Sequence, residues 1–229
     1  MNVWTDVKEL FFPRLCLVCG KKMLPEEDVA CFPCMSALPR TGLLHTQGNE
    51  MEKLFWGRFP IERASSLFFY SREGKVARIL AGMKYRGRKD VCFKMGGMLA
   101  GELLPAGFFE GVDCLIPVPL HPKRLRKRGY NQSEWLAKGI VSQADIPIRT
   151  DVLYRVRNNE TQTRKSAFER RANAEHLFGL APCSDELKGC HVMLVDDVMT
   201  TGATIEACGE ALSAVDGIRI SVLTLAWTK

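Results

Sequence analysis

The chain has 229 residues, 46% of them hydrophobic, which is enough for one full α/β core with a small appendage and too few for a string of domains. No run nears the ~18 apolar residues of a membrane span, and Asp6, Lys8 and Glu9 interrupt the N-terminal stretch where a secretory signal would be unbroken, so a cytoplasmic location is expected. The net charge of +6 is modest but clustered: seven Lys/Arg fall within 72–90, five within 123–128 and six within 155–171. Such clusters suit a polyphosphate or a nucleic-acid backbone, and equally a solvated charged face.

Nine cysteines in a reducing compartment read as thiols or metal ligands rather than disulfides. Cys16-Leu-Val-Cys19 and Cys31-Phe-Pro-Cys34 form two C-x2-C pairs separated by eleven residues. Four thiolates at this spacing can close a tetrahedral Zn²⁺ site with no open position, so the metal expected in the module 1–38 is structural. A redox C-x-x-C pair would need a βαβ context that this stretch lacks. Cys92, Cys114, Cys183, Cys190 and Cys208 share no such spacing and are expected to be buried small apolar residues.

Residues 39–60 contain turn formers and no clear period and read as a linker, with one α/β domain over 61–229. A strand is expected over 61–70. Val76, Ile79, Leu80 and Met83 then repeat at helical spacing, ending in Lys84-Tyr85-Arg86-Gly87-Arg88. A second helix is predicted near 90–104, where Gly96, Gly97 and Gly101 suggest close packing against a sheet. Residues 112–118 form a buried strand that leads into a basic, proline-framed loop, and a helix comes next with Trp135, Leu136 and Ile140 facing inward. Another strand is expected at 148–154. The polar stretch 155–171 is long for a plain connection and looks like a mobile loop over a site. Strands alternating with helices argue for a parallel sheet covered on both faces.

The most informative stretch is 192–204, Val-Met-Leu-Val-Asp-Asp-Val-Met-Thr-Thr-Gly-Ala-Thr. A buried apolar strand would place Asp196 and Asp197 at its carboxyl end, where open α/β sheets bind ligands. Thr200, Thr201, Gly202, Ala203 and Thr204 come next as an anion cradle at a helix N-terminus. Two plainer readings are that Asp197 or Thr201 caps that helix, or that the acids form another kind of acidic site. No lysine lies between Lys188 and Lys229, which excludes a P-loop.

Residues 194–204 resemble the phosphoribosyl-pyrophosphate (PRPP) loop of type I phosphoribosyltransferases. With the cysteine pairs, KYRGRKD, PVPLHPKRLRKRGYNQSE and RNNETQTRKSAFERRANAEHLF, they resemble the ComF family along essentially the whole chain. The resemblance implies a zinc module joined to a type I phosphoribosyltransferase fold, with Asp196 and Asp197 on the ribose hydroxyls and Thr200, Thr201, Gly202, Ala203 and Thr204 on the 5′-phosphate. Residues 117–124, among them Pro119, Leu120, His121, Lys123 and Arg124, would form the pyrophosphate loop. The flexible loop would carry Arg155, Arg157, Arg164, Lys165 and Arg170, and Mg²⁺ would accompany PRPP. Nothing in the hood region 59–104 matches a base-binding pattern, and Cys16 belongs to the zinc set, which leaves no glutaminase nucleophile. Two roles stay open. One is a transferase of unknown acceptor. The other is a non-catalytic PRPP binder that handles single-stranded DNA through its basic stretches with Trp56, Tyr85 and Tyr130, alongside DNA-uptake or DNA-processing proteins.

Overall fold

The computed structural model describes residues 13–43, 46–84, 87–156 and 177–229. Four parallel strands make the central sheet in the order β1-β6-β5-β2, with β1 at Ile61–Phe69, β2 at Cys114–Pro117, β5 at His191–Met199 and β6 at Arg219–Trp227. Alternate residues of β5 feed two cores: Met193 and Val195 face one, Val192 and Leu194 the other. The strands are apolar almost throughout because both faces are covered.

On the first face lie α3 (Lys75–Lys84), α4 (Lys89–Leu103) and α6 (Gln132–Val141). The glycines of α4 pack on α6, not on the sheet as expected. A Cβ at Gly96 would come within 2.0 Å of Leu136 O, and one at Gly139 within 2.0 Å of Phe93 O, so the two backbones touch. The four-cysteine module belongs to this face too, since Cys16, Val18, Met23, Val29 and Ala30 share its core with α3 and α4. The module also contains the short helix α1 (Phe32–Ser36).

Over the second face lie α7 (Ala203–Leu212), the 3₁₀ turn Pro182–Leu187 and residues 49–59 of the expected linker. The linker reading needs correction. Residues 50–53 form α2 (Glu50–Lys53), N-capped by Asn49, and Met51 and Phe55 are fully buried. Met51, Phe55 and Phe59 sit at four-residue intervals, a helical stripe that is present in the sequence.

The strand expected at 148–154 is also different. Ile148 makes only one parallel bridge, to Leu115. The chain then bends at 150–152, and Arg149 spans the bend with a two-point fork on Asp151, Nε to Oδ1 at 2.9 Å and Nη2 to Oδ2 at 3.0 Å. Beyond the bend the chain enters a separate antiparallel ribbon of β3 (Leu153–Arg155) and β4 (Phe178–Leu180). Cys92, Cys114 and Cys208 are buried as expected, whereas Cys183 and Cys190 keep partial exposure. Among the described residues no helix is long and apolar enough to cross a membrane.

Candidate functional site: a carboxylate pair at the sheet's open edge

β2 stops at Pro117, opposite Val195, while β5 stays paired with β6 as far as Met199 opposite Trp227. Asp196 and Asp197 therefore sit where β5 has lost one neighbour and kept the other. The notch beside them is lined from the β2 side. Asn131 caps α6 by accepting from Ser133 N at 3.2 Å and donates its Nδ2 to Val118 O at 3.0 Å, which ties the helix start to the strand end. Ser133 Oγ then donates to Asp196 Oδ1 at 2.9 Å, and the same oxygen accepts from Asp197 N at 2.8 Å.

Asp196 keeps some exposed surface, yet protein surrounds its carboxylate. Burial first, and the charge of Asp197 second, push its pKa well above the ordinary range against the pull of the Ser133 bond. Asp197 is buried, and Lys84 Nζ lies 3.2 Å from its Oδ2. That contact is Coulombic rather than a formed hydrogen bond, because Oδ2 has no aligned donor among the described residues.

Beyond the aspartates, Gly202 takes φ 80° as the N-cap of α7, with no side-chain cap bond. Neither Asp197 nor Thr201 caps the helix, which removes the capping reading of both. The uncapped N–H groups face a cleft of about 40 Å³ lined by Asp196 and by Thr200, Thr201, Gly202, Ala203 and Thr204. Phe55 closes the back of this loop: a Cβ on Gly202 would lie 3.3 Å from its ring.

The sequence placed Pro119, Leu120, His121, Lys123 and Arg124 in one loop. Pro119 and Leu120 do lie in a connection, but Pro122–Arg128 is a helix, α5, which corrects the extended-loop reading. A charge run without apolar period hides it. His121 caps α5, its Nδ1 accepting from Lys123 N at 3.3 Å, and Gly129 ends it at φ 78°. Desolvation, then the charges of Lys123, Arg155 and Arg124, hold the His121 pKa below normal. Arg155 ends β3; its guanidinium lies 5.3 Å from the Phe178 ring centre, and its Nε is buried with no partner among the described residues. Burial and Arg124 both lower its pKa, while Asp196 raises it, so Arg124, Arg155 and Asp196 are electrostatic neighbours. Arg157, Arg164, Lys165 and Arg170 lie outside the described residues, as does Tyr85. Tyr130 is buried and donates to Met83 O at 2.6 Å, which rules it out as a stacking platform; Trp56 is exposed.

At the other end of the first face, Cys16, Cys19, Cys31 and Cys34 bring their sulfurs within 4.8 Å of one another. Zn–S bonds of about 2.3 Å require sulfurs roughly 3.8 Å apart in a tetrahedron, and Cys19 and Cys31 already stand at 3.7 Å. Burial raises the Cys16 thiol, but N–H groups of Cys19, Cys31 and Val18 outweigh it and hold the pKa at about 6. Cys16 is thus poised as the thiolate a metal takes, while hydrogen bonding to Cys31 and burial push Cys34 up to about 12.

The phosphoribosyl transferase domain family matches residues 131–228. Competence protein F of Haemophilus influenzae is 38% identical over 114 residues, half of each chain. DNA utilization protein YhgH of Escherichia coli O157:H7 is 30% identical over 218 residues, 89% of this chain and 92% of that one. Competence protein ComFC of Bacillus subtilis is 36% identical over 146 residues, 62% of this chain and 55% of its own. The chain belongs to the ComF family. It thus spans about half the length of Competence protein F and of ComFC and nearly all of YhgH. The chain carries an α/β phosphoribosyltransferase-like sheet and, outside the matched domain, a four-cysteine cluster.

Three residues of this ComF site were given no role in the sequence. Ser133 and Lys84 fall inside the segments PVPLHPKRLRKRGYNQSE and KYRGRKD, and Phe55 is signalled by the stripe it shares with Met51 and Phe59.

Proposed function

We propose that the chain binds PRPP, or a related phosphosugar, with Mg²⁺ and transfers its phosphoribosyl group to an acceptor of unknown identity. The observation that carries this is adjacency: Asp196 lines the cleft at an uncapped helix start suited to a phosphate, and Asp197 follows it on β5, which offers two carboxylates for vicinal hydroxyls. Asp196 and Asp197 would take the ribose hydroxyls, and the backbone of 200–204 the 5′-phosphate. Arg124 and Arg155, with His121 and Lys123, would supply the positive charge a diphosphate needs, which their mutual electrostatic influence supports. Mg²⁺, held chiefly by the ligand's own oxygens, would neutralise charge on the leaving diphosphate. The protein's contribution is placement and a fixed field, since the reaction asks for little acid or base from side chains. In the same reading a structural Zn²⁺ occupies Cys16, Cys19, Cys31 and Cys34, and a reducing cytoplasm keeps those thiols available. Release of pyrophosphate from PRPP and Mg²⁺, measured against bases, nucleotides and DNA, tests the assignment. Binding without release under every acceptor would leave a sensor in place of an enzyme.

A specific surface favours a second reading, in which PRPP binding serves the handling of single-stranded DNA in uptake. α5 presents Lys123, Arg124, Arg126, Lys127 and Arg128 in seven residues, none of them fully buried, and the names of the relatives refer to competence and DNA utilization. Binding should then weaken steeply with salt. Replacing the five cations together should flatten that slope, and a protein with no affinity for single strands at low salt would leave the transferase reading alone.

A further inference from the structure

Lys84 stands in the way of the proposed ligand. Its ammonium lies 3.2 Å from Asp197 Oδ2, both side chains are largely buried, and Asp197 is the one carboxylate within ion-pair distance of it among the described residues. A ribose hydroxyl that donates to this oxygen competes with the cation for its charge. Once displaced, a half-buried ammonium needs an anion, because an unpaired charge in such a place is costly. Asp196 lines the phosphate cleft, whereas neither Asp197 nor Lys84 does, so Lys84 lies outside the place of the 5′-phosphate. The anion nearest to it would be the diphosphate of PRPP.

Lys84 is also held from behind. It is the last residue of α3, where the helix's own dipole favours a cation, and α3 is pinned to the core by Val76, Ile79, Leu80 and Met83. The outer side of α3 rests on the two residues between the first pair of cysteines. A Cβ on Gly82 would come within 2.7 Å of Leu17 Cδ1, so glycine allows Leu17 to touch the helix. Arg78 Nη1 donates to Val18 O. Leu17 and Val18 lie in the turn that Cys16 and Cys19 close, with Gly20 N donating to Cys16 O at 2.9 Å. The loop a metal would fix is therefore the loop that braces α3.

We propose that Lys84 is a ligand-binding residue of the carboxylate site, exchanged from Asp197 to the diphosphate when PRPP binds, and that the four-cysteine module keeps it in place through α3. This rests on the PRPP reading and adds to it a residue and a role for the module. The exchange also gives a reason for the module to share a core with the sheet rather than hang from it.

The test compares the affinity of the full chain for PRPP with Mg²⁺ and for ribose 5-phosphate, which lacks the diphosphate. Lys84→Met should weaken PRPP by about ten- to a hundredfold, the usual weight of a hydrogen bond to a charged group, with far less effect on ribose 5-phosphate. Lys84→Arg should restore most of the loss. Arg78→Met, which cuts the tie to Val18, should weaken PRPP in the wild-type background and add nothing in the Lys84→Met background. Unchanged PRPP affinity in Lys84→Met overturns the role of Lys84. Losses that simply add in the double variant overturn the coupling to the module. A wild type that binds no PRPP overturns the reading on which both depend, so the three failures are distinguishable. Metal content and melting temperature are followed in each variant, and Lys84→Gln replaces Lys84→Met should the latter not fold.

Discussion

Ser133 and Asp196 are 63 residues apart in sequence and joined by one 2.9 Å hydrogen bond, which links the start of α6 to the ligand edge of β5. The bond opposes the burial that raises the Asp196 pKa. Ser133→Ala should move that pKa further up and cost on the order of 1–3 kcal/mol for the donor lost to a buried carboxylate. The affinity for PRPP, measured from pH 6 to 9, should reach its plateau at higher pH in the variant. Superimposable profiles would count against the bond.

The raised pKa of Asp196 also fixes the direction of a stability change. The folded chain keeps this proton up to about 7, whereas an unfolded aspartate loses it near about 4. Between those values the native state binds the extra proton, so the contribution is present at the acidic end and is lost as pH rises. Denaturant midpoints of the unliganded protein should fall across this window, and Asp196→Asn should remove that component. A wild type and variant with parallel pH curves would refute the prediction.

With Mg²⁺ and PRPP at about a hundred times the dissociation constant, stabilisation of roughly 2.7 kcal/mol is expected. For a chain of this size that is a rise of about 5–11 °C in melting temperature. Asp196→Asn/Asp197→Asn should lose the rise, measured against the variant's own unliganded melt. A double variant that responds fully to PRPP would contradict the assignment.

Gly139→Ala tests the contact between α4 and α6. The new methyl would meet Phe93 O at 2.0 Å, a backbone atom that cannot rotate away. A loss of about 1–3 kcal/mol is expected from overpacking. PRPP affinity should fall as well, since α6 carries Ser133. Urea titration and ligand titration of the same preparation separate the two effects.

One equivalent of zinc should accompany protein purified without added metal, and Cys31→Ser should lower it sharply. Zinc unchanged in that variant would remove these ligands from consideration.

Those parts of the fold whose signals are local were legible in the sequence. A continuous apolar run, then two acids and a Thr/Gly turn, has few other solutions, and residues 191–212 form the strand, turn and helix it implies. Cysteine spacing likewise specifies its own geometry. The rest lacked a local apolar signal or depended on partners far away in sequence. α5 has no apolar stripe to announce it and is held by a cap at each end. The strand expected at 148–154 is interrupted by a bend at 150–152, which the Arg149–Asp151 pair spans. Tyr130 resembles a base platform in sequence, and only Met83, 47 residues away, shows it to be a buried strut. The stripe of Met51, Phe55 and Phe59 was readable and was obscured by the turn formers around it.

The position of β1 sets a limit on how the molecule can be cut. The matched transferase segment begins at 131, yet β6 runs between β5 and β1, and α6 rests on a helix that ends at Leu103. A fragment started at that boundary would present a naked hydrogen-bonding edge along β6, a groove where α4 belongs, and a phosphate loop without Phe55 behind it. Exposed edges of this kind recruit other chains. Shortening the protein to its recognisable half should therefore yield aggregates rather than a smaller working domain.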